Sequence, residues 1–150
     1  KEGLSEFFKS HVGVQQGAIM SPLLFAMYIN DLTEVLKDED GVNVDGRYVK
    51  ILLYADEIVL FSNTSIGLQN HLDNLYDFCT KWKLNVNLSK TKVLVFRGGG
   101  PLSRNEFWYW GDEQIEICSK YKYLGIYFSA NGITNQSLQH LADQAGLAIL

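Results

Sequence analysis

The stretch Tyr48-Val49-Lys50-Ile51-Leu52-Leu53-Tyr54-Ala55-Asp56-Glu57-Ile58-Val59-Leu60-Phe61 decides how this chain is read. It holds two strand-like apolar runs, Tyr48 to Tyr54 and Ile58 to Phe61, separated only by Ala55-Asp56-Glu57. So short a connection joins antiparallel strands, because a parallel pairing needs a crossover of a dozen residues or more. The expectation is a hairpin with an acidic pair at its tip. Adjacent carboxylates repel each other, nothing local in the sequence neutralises them, and a bound cation would. The plainer alternative is a solvated turn, since acids are common in tight connections.

Upstream, Asp45-Gly46 is the signature of a two-residue hairpin turn. Before it, Ser21-Pro22 reads as a helix start, with the hydroxyl as cap and Pro in the first turn. Leu24, Met27, Tyr28, Asp31, Leu32, Val35 and Leu36 recur at three- and four-residue spacing, and Lys37 to Gly41 closes that helix. Glu6 to Val14 reads as a short extended piece and Gln15-Gln16-Gly17 as a loop. Downstream, Ser65 to Lys83 is a second helix with Leu68, Leu72, Leu75, Cys79 and Trp82 on one stripe. Val93 to Phe96 is a short strand, and Gly98 to Pro101 is the only linker-like stretch. Phe107–Trp110 and Gln114–Ile117 flank Gly111-Asp112-Glu113 as another hairpin. Tyr121 to Phe128 is a strand pair turning at Leu124-Gly125, and Leu138 to Leu150 closes as a helix. This order predicts an α+β fold, an antiparallel sheet with helices packed on one face.

Composition sets the outer bounds. At 150 residues, 47% hydrophobic and 20% charged, the chain suits one globular domain and excludes a disordered tail or fibrous repeat. No apolar run approaches the roughly 18 residues that span a bilayer, and Lys1-Glu2-Gly3 does not open a signal peptide. The expectation is an intracellular chain, nuclear or cytoplasmic, not secreted and with no membrane partner. The absence of an initiator Met makes it read as an excerpt of something longer. A net charge of −4 argues against a protein that coats nucleic acid, while leaving room for a local basic face. Lys81, Lys83, Lys90, Lys92 and Arg97 could form such a strip, or simply an exposed helix end and strand. Cys79 and Cys118 lack a CxxC pattern and are expected to be reduced thiols, and His11, His71 and His140 have no partner at ligand spacing. Phe107 to Trp110 could stack on bases, though strands favour aromatics as core.

The order of motifs resembles the reverse transcriptases, in the variant of non-LTR (LINE-type) retrotransposons. Gly13-Val14-Gln15-Gln16-Gly17-Ala18-Ile19-Met20-Ser21-Pro22-Leu23-Leu24-Phe25 with Tyr28-Ile29-Asn30-Asp31-Leu32 is similar to the block that precedes their catalytic hairpin. Tyr54-Ala55-Asp56-Glu57 resembles the YxDD box. Leu84-Asn85-Val86-Asn87 with Lys90-Thr91-Lys92 resembles the next block, and Tyr121-Lys122-Tyr123-Leu124-Gly125 the primer grip. Four blocks in the family's order make a far more specific signal than one acidic box.

The resemblance implies a polymerase palm, incomplete at its N-terminal side. It implies a partial reverse transcriptase domain over 1–150, with palm at about 13–97 and primer grip and start of thumb at about 105–150. The implied chemistry is attack of a primer 3′-hydroxyl on a deoxynucleotide, clamped by two Mg²⁺ or Mn²⁺ ions. Asp56 and Glu57 are the implied catalytic metal ligands, and Lys90 the proton donor to pyrophosphate. Gln16 and Gly17 would face the nucleotide, and Tyr54, Leu124 and Gly125 the primer. The implied partners are an RNA template, a DNA primer, a deoxynucleotide and the rest of a polyprotein with its fingers, upstream palm strand and thumb.

Two departures from the family pattern matter. Glu57 stands where the family has a second Asp, and its extra methylene moves the carboxylate by about an ångström, enough to impair a positioned reaction. The family's upstream catalytic Asp is absent, so the two-metal site is expected to be incomplete and the chain alone inactive. The competing expectation is a non-catalytic remnant acting as a nucleic-acid-binding or protein-interaction module. A nucleotide cyclase on a similar palm is weaker, because it leaves Tyr123-Leu124-Gly125 unexplained.

Overall fold

A computed structural model describes residues 13–14, 17–98, 100 and 106–133. Residues 6–12 of the extended piece expected over 6–14, the helix expected at 138–150, and residues 99 and 101 of the linker lie outside the described residues.

Helix α1 (Ser21–Tyr28) and helix α2 (Leu32–Val35) replace the single helix expected from Ser21 to Leu36. The break has a local cause. Asn30, Asp31 and Thr33 are weak helix formers whose side chains compete for backbone groups. Here the Thr33 hydroxyl donates to the Asn30 carbonyl. The ladder tightens from i−4 to i−3 bonds: Leu32 N–H donates to Ile29 O at 3.0 Å and Glu34 N–H to Asp31 O at 3.1 Å. The buried stripe is therefore Ile29, Leu32 and Leu36, whereas Leu24, Met27, Tyr28 and Val35 are exposed. The cap position of α1 falls on Met20, which makes no side-chain cap bond.

A one-turn 3-10 helix (Asp38–Asp40) leads into β1 (Val42–Val44) and β2 (Arg47–Val49), joined by the expected turn with φ of 50° at Asp45 and 81° at Gly46. Positive φ at both loop positions is what such a turn needs. The apolar run then breaks at Lys50. Its half-buried ammonium donates to Leu36 O at 2.8 Å and meets Asp38 at 2.6 Å, so β3 (Ile51–Tyr54) starts afresh after it. Strand β4 (Glu57–Leu60) pairs antiparallel with β3, Ile51 opposite Leu60 and Tyr54 opposite Glu57.

Helix α3 (Ser65–Trp82) organises the core. Thr64 caps it by accepting from Gly67 N–H, and Lys83 ends it in the left-handed conformation, φ 54°. A side chain at Gly67 would run into the Ser62 and Thr64 hydroxyls at 2.6 and 2.9 Å, so glycine is required at that contact. The expected stripe is realised. Leu75, Phe78 and Cys79 bury with Leu32 against Ile51, Ile58 and Leu60 of the hairpin, while Leu72 buries with Val93, Trp108 and Ile115.

Strand β5 (Lys92–Leu94) starts one residue earlier than expected. Strands β6 (Tyr109–Trp110) and β7 (Glu113–Gln114) turn at Gly111-Asp112. Strand β8 (Glu116–Cys118) pairs with β5 in parallel, Val93 opposite Ile117. Strands β9 (Lys120–Tyr123) and β10 (Ile126–Ser129) form the expected pair, with β11 (Gly132–Ile133) beyond.

The α+β content stands, but the single antiparallel sheet does not. Among the described residues there are five small sheets, one of them a parallel pair. Residues of β3, β4, β5, β6 and β8 pack with α3 in two clusters, and side-chain burial there replaces a continuous ladder. Trp108 is core, its indole N–H donating to Ser65 O at 2.9 Å, while Phe107 and Tyr109 stay exposed and stack edge to face. Cys79 and Cys118 are free thiols whose pKa values are pushed up by burial. His71 is wholly buried, with its Nε2 3.2 Å from Lys37 O. No described helix is long and apolar enough to cross a membrane.

Candidate functional site

The β3–β4 hairpin places its acids unequally. The loop is Ala55-Asp56 alone, with φ of 52° at Ala55, and Glu57 is already the first residue of β4. The carboxylates are thus on a loop and on a strand, and not both at the tip as expected. A positive φ at a residue other than glycine is uncommon and costs energy, so the turn is held by the strands that flank it. Register sorts the faces, because directly opposed residues share one. Ile51 with Leu60 and Leu53 with Ile58 share the face that carries Ile51, Ile58 and Leu60 into the α3 core. Leu52 with Val59 and Tyr54 with Glu57 share the other. Tyr54 is 61% exposed.

Asp56 and Glu57 are exposed, and neither carboxylate has a hydrogen-bond or ion-pair partner among the described residues. They offer hard oxygen donors, the chemistry that suits Mg²⁺ or Mn²⁺. No group of three or more His, Cys, Asp or Glu able to share an ion occurs among the described residues, so these two acids by themselves would complete no coordination shell.

Strand β9 joins two of the other sites to this hairpin. The Tyr121 hydroxyl donates to the carbonyl of Lys90 at 3.1 Å, tying β9 to the turn in which Lys90 and Thr91 N–H groups donate to Asn87 O. At its far end, the Tyr123 phenol has its pKa raised, first by burial, then by the charge of Glu57 and by Tyr54. Tyr123 is thus close enough to the hairpin for the charge of Glu57 to reach it, and the Leu124-Gly125 turn follows it directly, with φ of 48° and 84°. Tyr54, Glu57, Leu124 and Gly125 belong to one region, with the Lys90 turn held to the same strand. Tyr123 belongs to the Tyr121–Gly125 motif, which by itself gives it no role. Only its position beside Glu57 marks it, and no sequence spacing carries that signal.

Gly17 is exposed, with φ 81° and nothing within 4 Å of an added Cβ, so its conformation and not crowding calls for glycine. Gln16 lies outside the described residues. The segment that follows Gly17 is fastened elsewhere: the Tyr28 hydroxyl donates to the carbonyl of Trp82, and the two rings meet edge to face at 5.2 Å. The basic strip is broken up. Lys92 is paired with Glu116 at 2.7 Å, Lys81 sits over the Trp82 ring, and Lys83 forms the helix end.

The family model described as "Reverse transcriptase (RNA-dependent DNA polymerase)" matches residues 1–128. The chain is 33% identical over 135 residues to the retrovirus-related Pol polyprotein from type-2 retrotransposable element R2DM of Drosophila melanogaster, covering 85% of this chain and 13% of that protein. It is 31% identical over 124 residues to the RNA-directed DNA polymerase from mobile element jockey of the same fly, 76% of this chain and 13% of that protein. It is 27% identical over 139 residues to a Pol polyprotein from type-1 retrotransposable element R2 of Bradysia coprophila, 87% of this chain and 16% of that protein. The chain thus spans less than a fifth of the length of each of these relatives.

Proposed function

This chain belongs to the reverse transcriptase family, with relatives among non-LTR retrotransposons, and from that premise we propose that it forms the palm of an RNA-directed DNA polymerase. The palm runs over about 13–97, and the primer grip with the start of the thumb over about 105–150. The reaction is template-directed nucleotidyl transfer, in which the 3′-hydroxyl of a DNA primer displaces pyrophosphate from a deoxynucleotide paired to RNA. The observation that supports this reading best is the convergence around β9, whose Tyr121 hydroxyl bonds the Lys90 carbonyl, whose Tyr123 feels the charge of Glu57, and which runs straight into the Leu124-Gly125 turn.

Asp56 is the principal metal ligand and Glu57 the second, its longer side chain placing its carboxylate differently from an Asp. Divalent ions, when bound, neutralise charge on the phosphates and activate the attacking oxygen. Tyr54 and the Leu124-Gly125 turn hold the primer end. Gln16 and Gly17 face the deoxynucleotide, and Lys90 gives a proton to departing pyrophosphate. The remaining ligands come from another part of the polyprotein.

A primer-extension assay on an RNA template with Mg²⁺, made in the context of the longer polyprotein, tests this. Asp56→Asn is expected to lower extension by about 10²-fold or more, since it removes charge where the reaction needs it. Unchanged extension would overturn the assignment. One observation, Glu57 in place of Asp, favours a second reading, a remnant that binds nucleic acid without catalysis. Glu57→Asp is expected to raise activity. A folded Glu57→Asp protein with no extension at all favours the remnant.

A further inference from the structure

The C-terminal ends of β5 and β8 point the same way and leave a pocket of about 230 Å³ lined by Val95, Arg97, Ile117, Cys118, Ser119 and Ala130. Backbone bonds brace it: Arg97 N–H donates to Ala130 O at 2.9 Å, and Ala130 N–H to Ser119 O at 2.9 Å. Arg97 thereby joins the end of β5 to the end of β10. Its guanidinium nitrogen Nη1 is buried and makes no hydrogen bond among the described residues. A guanidinium stays charged at any accessible pH, and a buried charged donor with no acceptor is among the least tolerated groups in a folded chain.

The two segments that line the pocket offer it no free counter-charge among the described residues. Residues 84–97 contain no acid, and residues 115–133 contain only Glu116, whose carboxylate is taken by Lys92 at 2.7 Å. The same two segments carry Lys90, Lys92, Arg97, Lys120 and Lys122, a local basic excess in a chain of net charge −4. Burial keeps the Cys118 thiol protonated, so it does not serve as the anion. The pocket is smaller than the roughly 300 Å³ at which small-molecule sites begin, so it suits one group and not a whole ligand. A planar fork of N–H donors matches two oxygens of a single tetrahedral oxyanion.

We infer that this pocket is an oxyanion subsite in which Arg97, with the Ser119 hydroxyl beside it, takes one backbone phosphate of the nucleic acid strand. The inference rests on the polymerase reading for the identity of its ligand. It adds an anchoring point outside the acidic hairpin, on residues that neither the YxDD-like box nor the Leu124-Gly125 turn contains.

The test is the salt dependence of binding of the full chain to a labelled primer–template hybrid, for wild type, Arg97→Gln and, as a charge-matched control, Arg47→Gln on exposed β2. Each phosphate contact contributes close to one unit to the slope of log K against log salt. Arg97→Gln is expected to reduce the slope by about one and Arg47→Gln to leave it unchanged. Titration of the wild-type chain with inorganic phosphate, followed by the Arg97 side-chain ¹⁵N–¹H resonance, is expected to shift that signal where chloride at equal ionic strength does not. This second measurement needs no variant to fold. If the hybrid binds but Arg97→Gln matches Arg47→Gln in slope, or phosphate leaves the Arg97 signal where chloride does, the subsite is wrong and the polymerase reading survives. If wild type does not bind the hybrid at all, the subsite as a nucleic-acid anchor is wrong, and the polymerase reading is decided separately by primer extension in the longer polyprotein.

Discussion

Helices α1 and α3 lie on the same chain and are treated in opposite ways by the fold. Helix α3 mixes apolar and polar residues, buries six of its positions and, along one stripe, receives the hairpin towards its C-terminal half and the β5–β8 pair towards its N-terminal half. Helix α1, Ser21–Tyr28, is apolar at most of its positions and buries none among the described residues. Leu23, Leu24 and Met27 are 53%, 49% and 68% exposed. Apolar content alone therefore does not set burial. A single apolar stripe with polar residues opposite tells the chain which side to bury, whereas a helix apolar all round gives no such instruction and takes its cover from whatever the tertiary structure brings. The hydrogen bond from Tyr28 to Trp82 is what fastens the end of α1 to α3.

Substitutions can break this contrast. The largest effect is expected at Phe78, buried between α2 and the hairpin. Phe78→Ala should cost about 3–5 kcal/mol in denaturant unfolding by leaving a cavity at the centre of the core. A cost below about 1 kcal/mol would mean that α3 does not organise the fold. Trp108→Phe keeps an aromatic side chain but removes the indole N–H bond to the Ser65 carbonyl, for an expected loss of about 1–2 kcal/mol read as a lowered midpoint at unchanged slope. Thr64→Ala removes the α3 cap and should cost about 1 kcal/mol, with Thr64→Ser restoring most of it.

Smaller again is a pH effect at Cys79. Burial raises its pKa above 9.0 in the folded state, so the folded protein holds that proton more tightly than the unfolded chain does. The resulting stability is fully present below pH 9.0 and is lost as pH rises through the folded value. Denaturation midpoints taken from pH 8 to about pH 10.5 should fall more gently for Cys79→Ala than for wild type; parallel curves would refute this. The smallest effect is expected on the other helix, where Met27→Ser should stay within about 0.5 kcal/mol. A loss of several kcal/mol there would sharpen the comparison differently, by showing that α1 is covered by chain outside the described residues.

Much of the local structure was legible from residues 45–46, 65–83 and 124–125, because turn geometry and helix periodicity depend on neighbours a few positions apart. The break at Asn30-Asp31 was less so, since the spacing of apolar residues across it mimics a continuous helix while the shorter i−3 bonds shift the buried stripe to Ile29, Leu32 and Leu36. The interruption at Lys50 was hidden for a similar reason. One lysine in an apolar run reads as an outward strand position until its partners, Leu36 and Asp38, are known. In the candidate site, the motif order named Tyr54, Asp56, Glu57, Lys90, Leu124 and Gly125 but said nothing of Tyr123 beside Glu57 or of Arg97 in its pocket.

Residue type and the order of short motifs were enough for the family, the α3 helix, the turns at Asp45-Gly46 and Leu124-Gly125 and the acidic pair. Only the tertiary structure decided that β5 and β8 run parallel, that Lys92 spends its charge on Glu116, and that β9 bridges the Lys90 turn to the hairpin. Those contacts join residues tens of positions apart. Their free energy comes from shared burial and paired charge, which exist only once the separate segments have packed against the same helix.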